Sequence, residues 1–111
     1  MNEIPTASRM IAFTDKVFKD PDGTLKEGSE YKTFYNKYGQ QKIGAIFHFH
    51  NGKLHSFGDN PAVEFEDTHT EYWKNGKIHN SMTNKDGETM PAIISDYMNI
   101  LEVWNNGERI K

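Results

Sequence analysis

The chain contains no cysteine. That absence removes disulfides, thiolate nucleophiles and cysteine-type zinc sites together. A basic surplus is missing as well: 13 Lys and Arg stand against 16 Asp and Glu, a formal net charge of −3. A surface that binds phosphate backbones in general needs the opposite sign, so general nucleic-acid binding is not expected. No apolar run reaches the ~18 residues of a membrane helix, and no secretory signal pattern opens the sequence; the expectation is a cytoplasmic protein without a membrane span. No Gly-x-Ser-x-Gly elbow and no Gly-rich phosphate loop is present, so neither that type of serine nucleophile nor a nucleotide cofactor is expected. Apolar residues are scarce, 35% of 111, against about 45–50% (glycine included) in an average domain. The core must be thin, and 7 Phe, 5 Tyr and 2 Trp carry much of it, since each aromatic buries more area than an aliphatic residue.

What the chain does have is a repeat. Asn51-Gly52-Lys53-Leu54-His55 returns as Asn75-Gly76-Lys77-Ile78-His79, and in worn form as Asn106-Gly107-Glu108-Arg109-Ile110. Pro61-Ala62-Val63 returns as Pro91-Ala92-Ile93, and an aromatic residue (Phe49, Trp73 or Trp104) stands two positions before each Asn-Gly. The length difference between units falls mostly in residues 80–90, rich in Asn, Thr, Asp and Gly, which read as an enlarged loop. Elements recurring in one order, with length changes confined to loops, identify a repeat architecture.

Asn-Gly between alternating segments is a hairpin signal, because a type I′ turn needs positive φ at both central residues. Counting outwards from a two-residue turn pairs Phe49 with Leu54, Trp73 with Ile78 and Trp104 with Arg109. Side chains alternate along a strand, so these pairs share the core face. Strands are expected at 43–50, 53–57, 62–66, 70–74, 77–81, 92–95, 100–105 and 108–111. The fold class is mainly β: an antiparallel meander of repeated Asn-Gly hairpins. One domain is expected over 1–111, with residues 1–42 as an N-terminal segment and 43–111 as the repeats.

The N-terminal segment is less determinate. Pro21-Asp22-Gly23 reads as a turn between extended flanks, which would make residues 17–26 a worn earlier repeat. Tyr31, Phe34, Tyr35 and Tyr38 have the i, i+3, i+4, i+7 spacing of a short helix that could cover an open sheet face. Tyr and Phe are only ordinary helix formers, so residues 29–38 stand open between helix and strand. Residues 1–8 read as a frayed terminus.

Residues 51–74, with Asn51-Gly52-Lys53-Leu54-His55, Gly58-Asp59-Asn60-Pro61-Ala62 and Glu71-Tyr72-Trp73-Lys74, resemble a repeat of small proteins from bacteriophages and large DNA viruses. The unit is also distantly similar to MORN-type hairpin repeats. The resemblance covers about 60 of 111 residues, from Phe49 to Ile110. It implies a β-repeat fold and no catalytic residue. It makes a phage accessory protein plausible, non-enzymatic, acting in the host cytoplasm by binding or inhibiting a host or defence protein. That last step is analogy.

Three constellations could carry chemistry. His48, His50 and His55 surround the first turn and share one face, a candidate metal site for a small metalloprotein or enzyme. Against it, His55 and His79 both occupy the repeat's own His position, which points to a shared structural role. Glu64, Glu66, Asp67, Glu71 and Asp59 cluster in sequence and read as a solvated acidic face. Tyr72, Lys74, Lys77 and His79 point away from the core if Trp73 is inside, and form a candidate protein-binding patch. A peripheral assembly role of MORN type is the remaining alternative, disfavoured on anionic lipid by the net charge. Free strand edges would admit a homo-oligomer.

Overall fold

The computed structural model describes residues 6–111 and is mainly β, built of antiparallel strands. The strands are β1 (Gly28–Tyr35), β2 (Gln41–His50), β3 (Lys53–Leu54), β4 (Val63–Phe65), β5 (His69–Glu71), β6 (Trp73–Lys74), β7 (Lys77–Ile78), β8 (Ile93–Ser95), β9 (Ile100–Glu102), β10 (Trp104–Asn105) and β11 (Glu108–Arg109). Helical structure among the described residues is limited to one 3-10 turn, Ile11–Phe13, and none is long and apolar enough to cross a membrane.

The Asn-Gly turns are left-handed at both central residues, with φ of 50° and 79° at Asn51 and Gly52, 48° and 85° at Asn75 and Gly76, and 46° and 85° at Asn106 and Gly107. Pairing across them places Phe49 opposite Leu54, Trp73 opposite Ile78 and Trp104 opposite Arg109. The meander runs β1-β2-β4-β5-β8-β9. The second and third hairpins leave this path as separate two-stranded ladders, β6–β7 and β10–β11. Residues 62–66 therefore pair with β2 rather than with the return strand β3, and 92–95 pair with β5. Each long strand serves twice: its first half lies in the sheet and its second half enters a hairpin.

The hairpins stack on one another. The Leu54 carbonyl accepts from the Gly76 amide and the Ile78 carbonyl from the Gly107 amide, both at 2.9 Å. Lys26 holds the same position one unit earlier, its carbonyl accepting from the Gly52 amide at 2.8 Å. The segment from Phe18 to Lys26 closes on itself through the Lys19–Leu25 bridge around Gly23. It is a first, degenerate hairpin of the stack, as the Pro-Asp-Gly turn suggested. Residues 80–90 likewise form a further hairpin, bridged at Thr83 and Thr89.

Residues 28–35 are strand, so the helical alternative over 29–38 falls. Aromatic and β-branched side chains suit a pleated strand, and eight pairings with β2, interrupted by one register shift at Lys32 and Thr33, outweigh a local spacing. Tyr31, Tyr35 and Tyr38 are exposed and take no part in the core. The core is covered instead by Ala7, Met10, Ile11, Phe13 and Phe18 of the N-terminal segment. Residues 6–8, read as frayed, are docked; 1–5 lie outside the described residues. The core forms columns of equivalent residues: Phe49, Trp73 and Trp104; Leu54 and Ile78; Ala62 and Ala92; Val63 and Ile93.

The central column predicts a sharp contrast. Trp73 is 1% exposed, whereas its neighbour Tyr72 is only half-buried. Trp73→Ala is expected to cost about 3–5 kcal/mol, and Tyr72→Ala about 1 kcal/mol. Denaturant unfolding of the two variants checks this; a larger loss for Tyr72→Ala would reverse the assignment of faces.

Candidate functional site

The repeat histidines are built into the stack. His55 Nδ1 accepts from the Asn75 amide at 3.1 Å, and His79 Nδ1 accepts from the Asn106 amide at 3.0 Å. Each imidazole thus holds the next Asn-Gly turn. In the degenerate first unit Glu27 does the same, its Oε1 accepting from the Asn51 amide at 3.1 Å. Burial, and then the charges of His50 and Lys74, push His55 below the ordinary histidine range; burial and Lys74 do the same to His79. The His50 ring and the Asn51 amide hold Glu27 below the usual carboxylate range.

The three candidate metal ligands are directed to different partners. His48 Nδ1 lies 2.7 Å from Ser29 Oγ and His50 Nδ1 lies 2.9 Å from Glu27 Oε2. Only His50 and His55 come together, ring centroids 5.4 Å apart, and Phe57 completes an aromatic cluster with them. Among the described residues no group of three His, Cys, Asp or Glu is placed to hold a metal ion.

The patch read from sequence is divided. Tyr72, Lys74 and His79 line one groove of about 210 Å³, together with His55 and Met82. A second cavity of about 440 Å³, lined by Asp59, Tyr72, Met82 and Met90, shares Tyr72 and Met82 with it. The inserted hairpin of residues 80–90 supplies the methionines, so the enlarged loop builds a wall of the groove. Lys74 makes no ion pair among the described residues. Lys77 pairs with Lys74 across the hairpin but does not line the groove; its ammonium bonds Asp15 at 2.8 Å.

Two carboxylates read as surface charge, or not singled out at all, prove to be fully buried. Glu71 is 0% and Glu102 1% exposed. Glu71 accepts from Trp73 Nε1 (3.0 Å), Ser8 Oγ (2.8 Å) and the Arg9 amide (2.7 Å), and pairs with His69 Nε2 (2.7 Å). Glu102 accepts from Trp104 Nε1 (2.9 Å), Thr6 Oγ1 (2.5 Å) and the Ala7 amide (2.6 Å). Where the other units have Leu54 and Ile78, the third has Arg109, whose guanidinium approaches Glu102 at 3.8 Å. The signal was present: both carboxylates stand two residues before a core Trp, so alternation puts them on the core face. Their role is to fasten residues 6–9 to the repeats. By contrast, Asp67, from the same acidic run, takes the Arg9 guanidinium at the surface.

Comparison with family models, curated proteins and solved structures yields no match for this chain.

Two outcomes follow from this geometry. Glu102→Ala strips the acceptor from an indole, a hydroxyl and a backbone amide, and should cost about 2–4 kcal/mol. It should also raise the hydrogen-exchange rate of the Ala7 amide selectively; unchanged exchange there would show that the segment is held otherwise. The histidines set a pH dependence. Unfolded His55 and His79 titrate at the ordinary value of 6.5, and the fold lowers both. The unfolded chain therefore takes protons first, and stability falls as pH drops below that value. Urea midpoints should be lower near pH ~5.5 than near pH ~7.5. The difference should shrink in the His55→Gln/His79→Gln variant, whose amide oxygens still accept from the turns.

Proposed function

We propose that this chain is a non-enzymatic protein-interaction module, a phage-type accessory factor that binds a host or defence protein in the host cytoplasm. The observation that carries the reading is the groove at Tyr72, Lys74 and His79. It combines a half-buried aromatic, adaptable methionine walls and a cation that makes no ion pair among the described residues. Methionine surfaces repack around different side chains, and aromatic anchors concentrate binding energy. The complementary partner segment brings an apolar side chain to Tyr72 and Met82 and a carboxylate to Lys74. The groups best suited to acid–base work support the same reading, since Glu71, Glu102, His55 and His79 are committed to holding the fold together. The viral attribution rests on the repeat resemblance.

The test is affinity capture from bacterial lysate with wild-type protein and two charge variants. A specific host protein should be retained by the wild type and by Lys77→Glu, and retained about tenfold less by Lys74→Glu. Equal capture by all three, or capture of nothing, would overturn the reading.

A further inference from the structure

The sheet ends in two unequal edges. On one side β9 offers three residues; on the other β1 offers eight, with Tyr31 58% and Tyr35 71% exposed. A long exposed edge is a template for another strand unless something blocks it. Which backbone groups it offers follows from the register. The His48 amide donates to Ala62, so His48 and Ile46 turn their backbone groups to the β4 side and Phe47 and Ala45 turn theirs to β1. Their partners Glu30 and Lys32 therefore turn inward. At the far end the Asn36 amide donates to Gln40, so the even-numbered residues still face β2 beyond the irregularity at Lys32 and Thr33. Alternation then leaves the N–H and C=O groups of Ser29, Tyr31, Thr33 and Tyr35 on the free edge.

We propose that β1 is a homodimer interface in which two copies pair their β1 strands antiparallel about a two-fold axis through Tyr31. Tyr31 then faces Tyr31 of the partner subunit, Ser29 faces Thr33 of the partner subunit, and Glu30 faces Lys32 of the partner subunit. Every pairing of odd residues joins edge groups that are free to bond. The charges choose among the possible registers. An axis through Tyr31 sets each Glu30 against a Lys32. An axis through Lys32 sets two cations face to face, and one through Thr33 leaves Lys32 opposite Phe34. Like charges directly opposite destabilise a strand pair and opposite charges stabilise it. Lys32 makes no ion pair within its own chain among the described residues, while Glu30 is held by Lys26 and keeps a second carboxylate oxygen for the new partner. An isolated lysine on an edge strand is a barrier to unspecific pairing; in this one register it becomes a contact. The interface is isologous, so it closes at two copies, and the six-strand paths of both subunits join into one sheet. It is separate from the groove at Tyr72 and stands or falls independently of it.

The absence of cysteine makes the register directly readable. Light scattering should give about twice the 12.8 kDa chain mass as concentration rises. Of three single variants, Tyr31→Cys should form a disulfide-linked dimer on oxidation, because residues facing each other across a two-fold axis lie within disulfide reach. Lys32→Cys and Thr33→Cys should remain single chains. Lys32→Glu should weaken dimerisation about tenfold, and Glu30→Lys combined with Lys32→Glu should recover most of it. A monomer at every concentration, cross-linking of Lys32→Cys or Thr33→Cys in place of Tyr31→Cys, or assemblies that grow beyond two copies would each overturn the proposal.

Discussion

The fold depends on a buried carboxylate that stands two residues before a buried tryptophan. Glu71 and Glu102 each take the indole N–H of their own unit and then a hydroxyl and an amide from residues 6–9. A buried carboxylate without partners would be strongly destabilising, whereas one met by several donors is tolerated in a dry core. The two groups therefore impose a condition: the repeats can be closed only with the N-terminal segment in place. Once docked, that segment brings Ala7, Met10, Phe13 and Phe18 over the columns of Trp, Leu and Ile. A chain poor in apolar residues thus closes its core with a strap fixed by polar bonds rather than with a second layer.

The stack follows the same economy in its turns. Each Asn-Gly turn needs its backbone amides satisfied on the side away from its own ladder. The preceding unit supplies a carbonyl to the glycine and an imidazole or carboxylate to the asparagine. Glycine is required here on two counts at Gly52 and Gly76. Both have positive φ, and a side chain at Gly52 would meet the Phe18 carbonyl at 2.9 Å while one at Gly76 would meet Asp15 at 3.3 Å. The turn residues and the repeat histidines are thus one device, coupling each unit to the next as in other quasi-one-dimensional folds.

Because the histidines and core carboxylates serve the stack, the two surfaces proposed for partners lie between and beside the units. The groove exists because one unit carries an extra hairpin whose methionines reach across to Tyr72. The free edge exists because β1 stands at the end of the sheet's strand order, with no further strand beside it among the described residues. Departures from the repeat, rather than the repeat itself, create both surfaces.

Sequence by itself determined the turns, the register of each hairpin and the columns of the core. All three are local: positive φ at Asn-Gly and alternation within a strand act over a few residues, so Trp73 opposite Ile78 could be counted from the turn. The structural role of His55 and His79 was legible for the same reason, as a position shared by units. The grouping of Tyr72, Lys74 and His79 was partly legible, because one strand face carries them. Lys77 stands opposite Lys74 as the turn implies, but its ion pair with Asp15, 62 positions away, was not legible. Alternation from Trp73 and Trp104 gives the face of Glu71 and Glu102, but tertiary structure decided that this face is sealed there, and it decided the strand state of residues 28–35 and the docking of residues 6–9. The bonds that bury those carboxylates connect positions 62 to 96 apart, and the strand state of 28–35 comes from pairing with β2 against a spacing that also fits a helix. Such groups look like ordinary surface residues until the strap and the neighbouring strand remove their water.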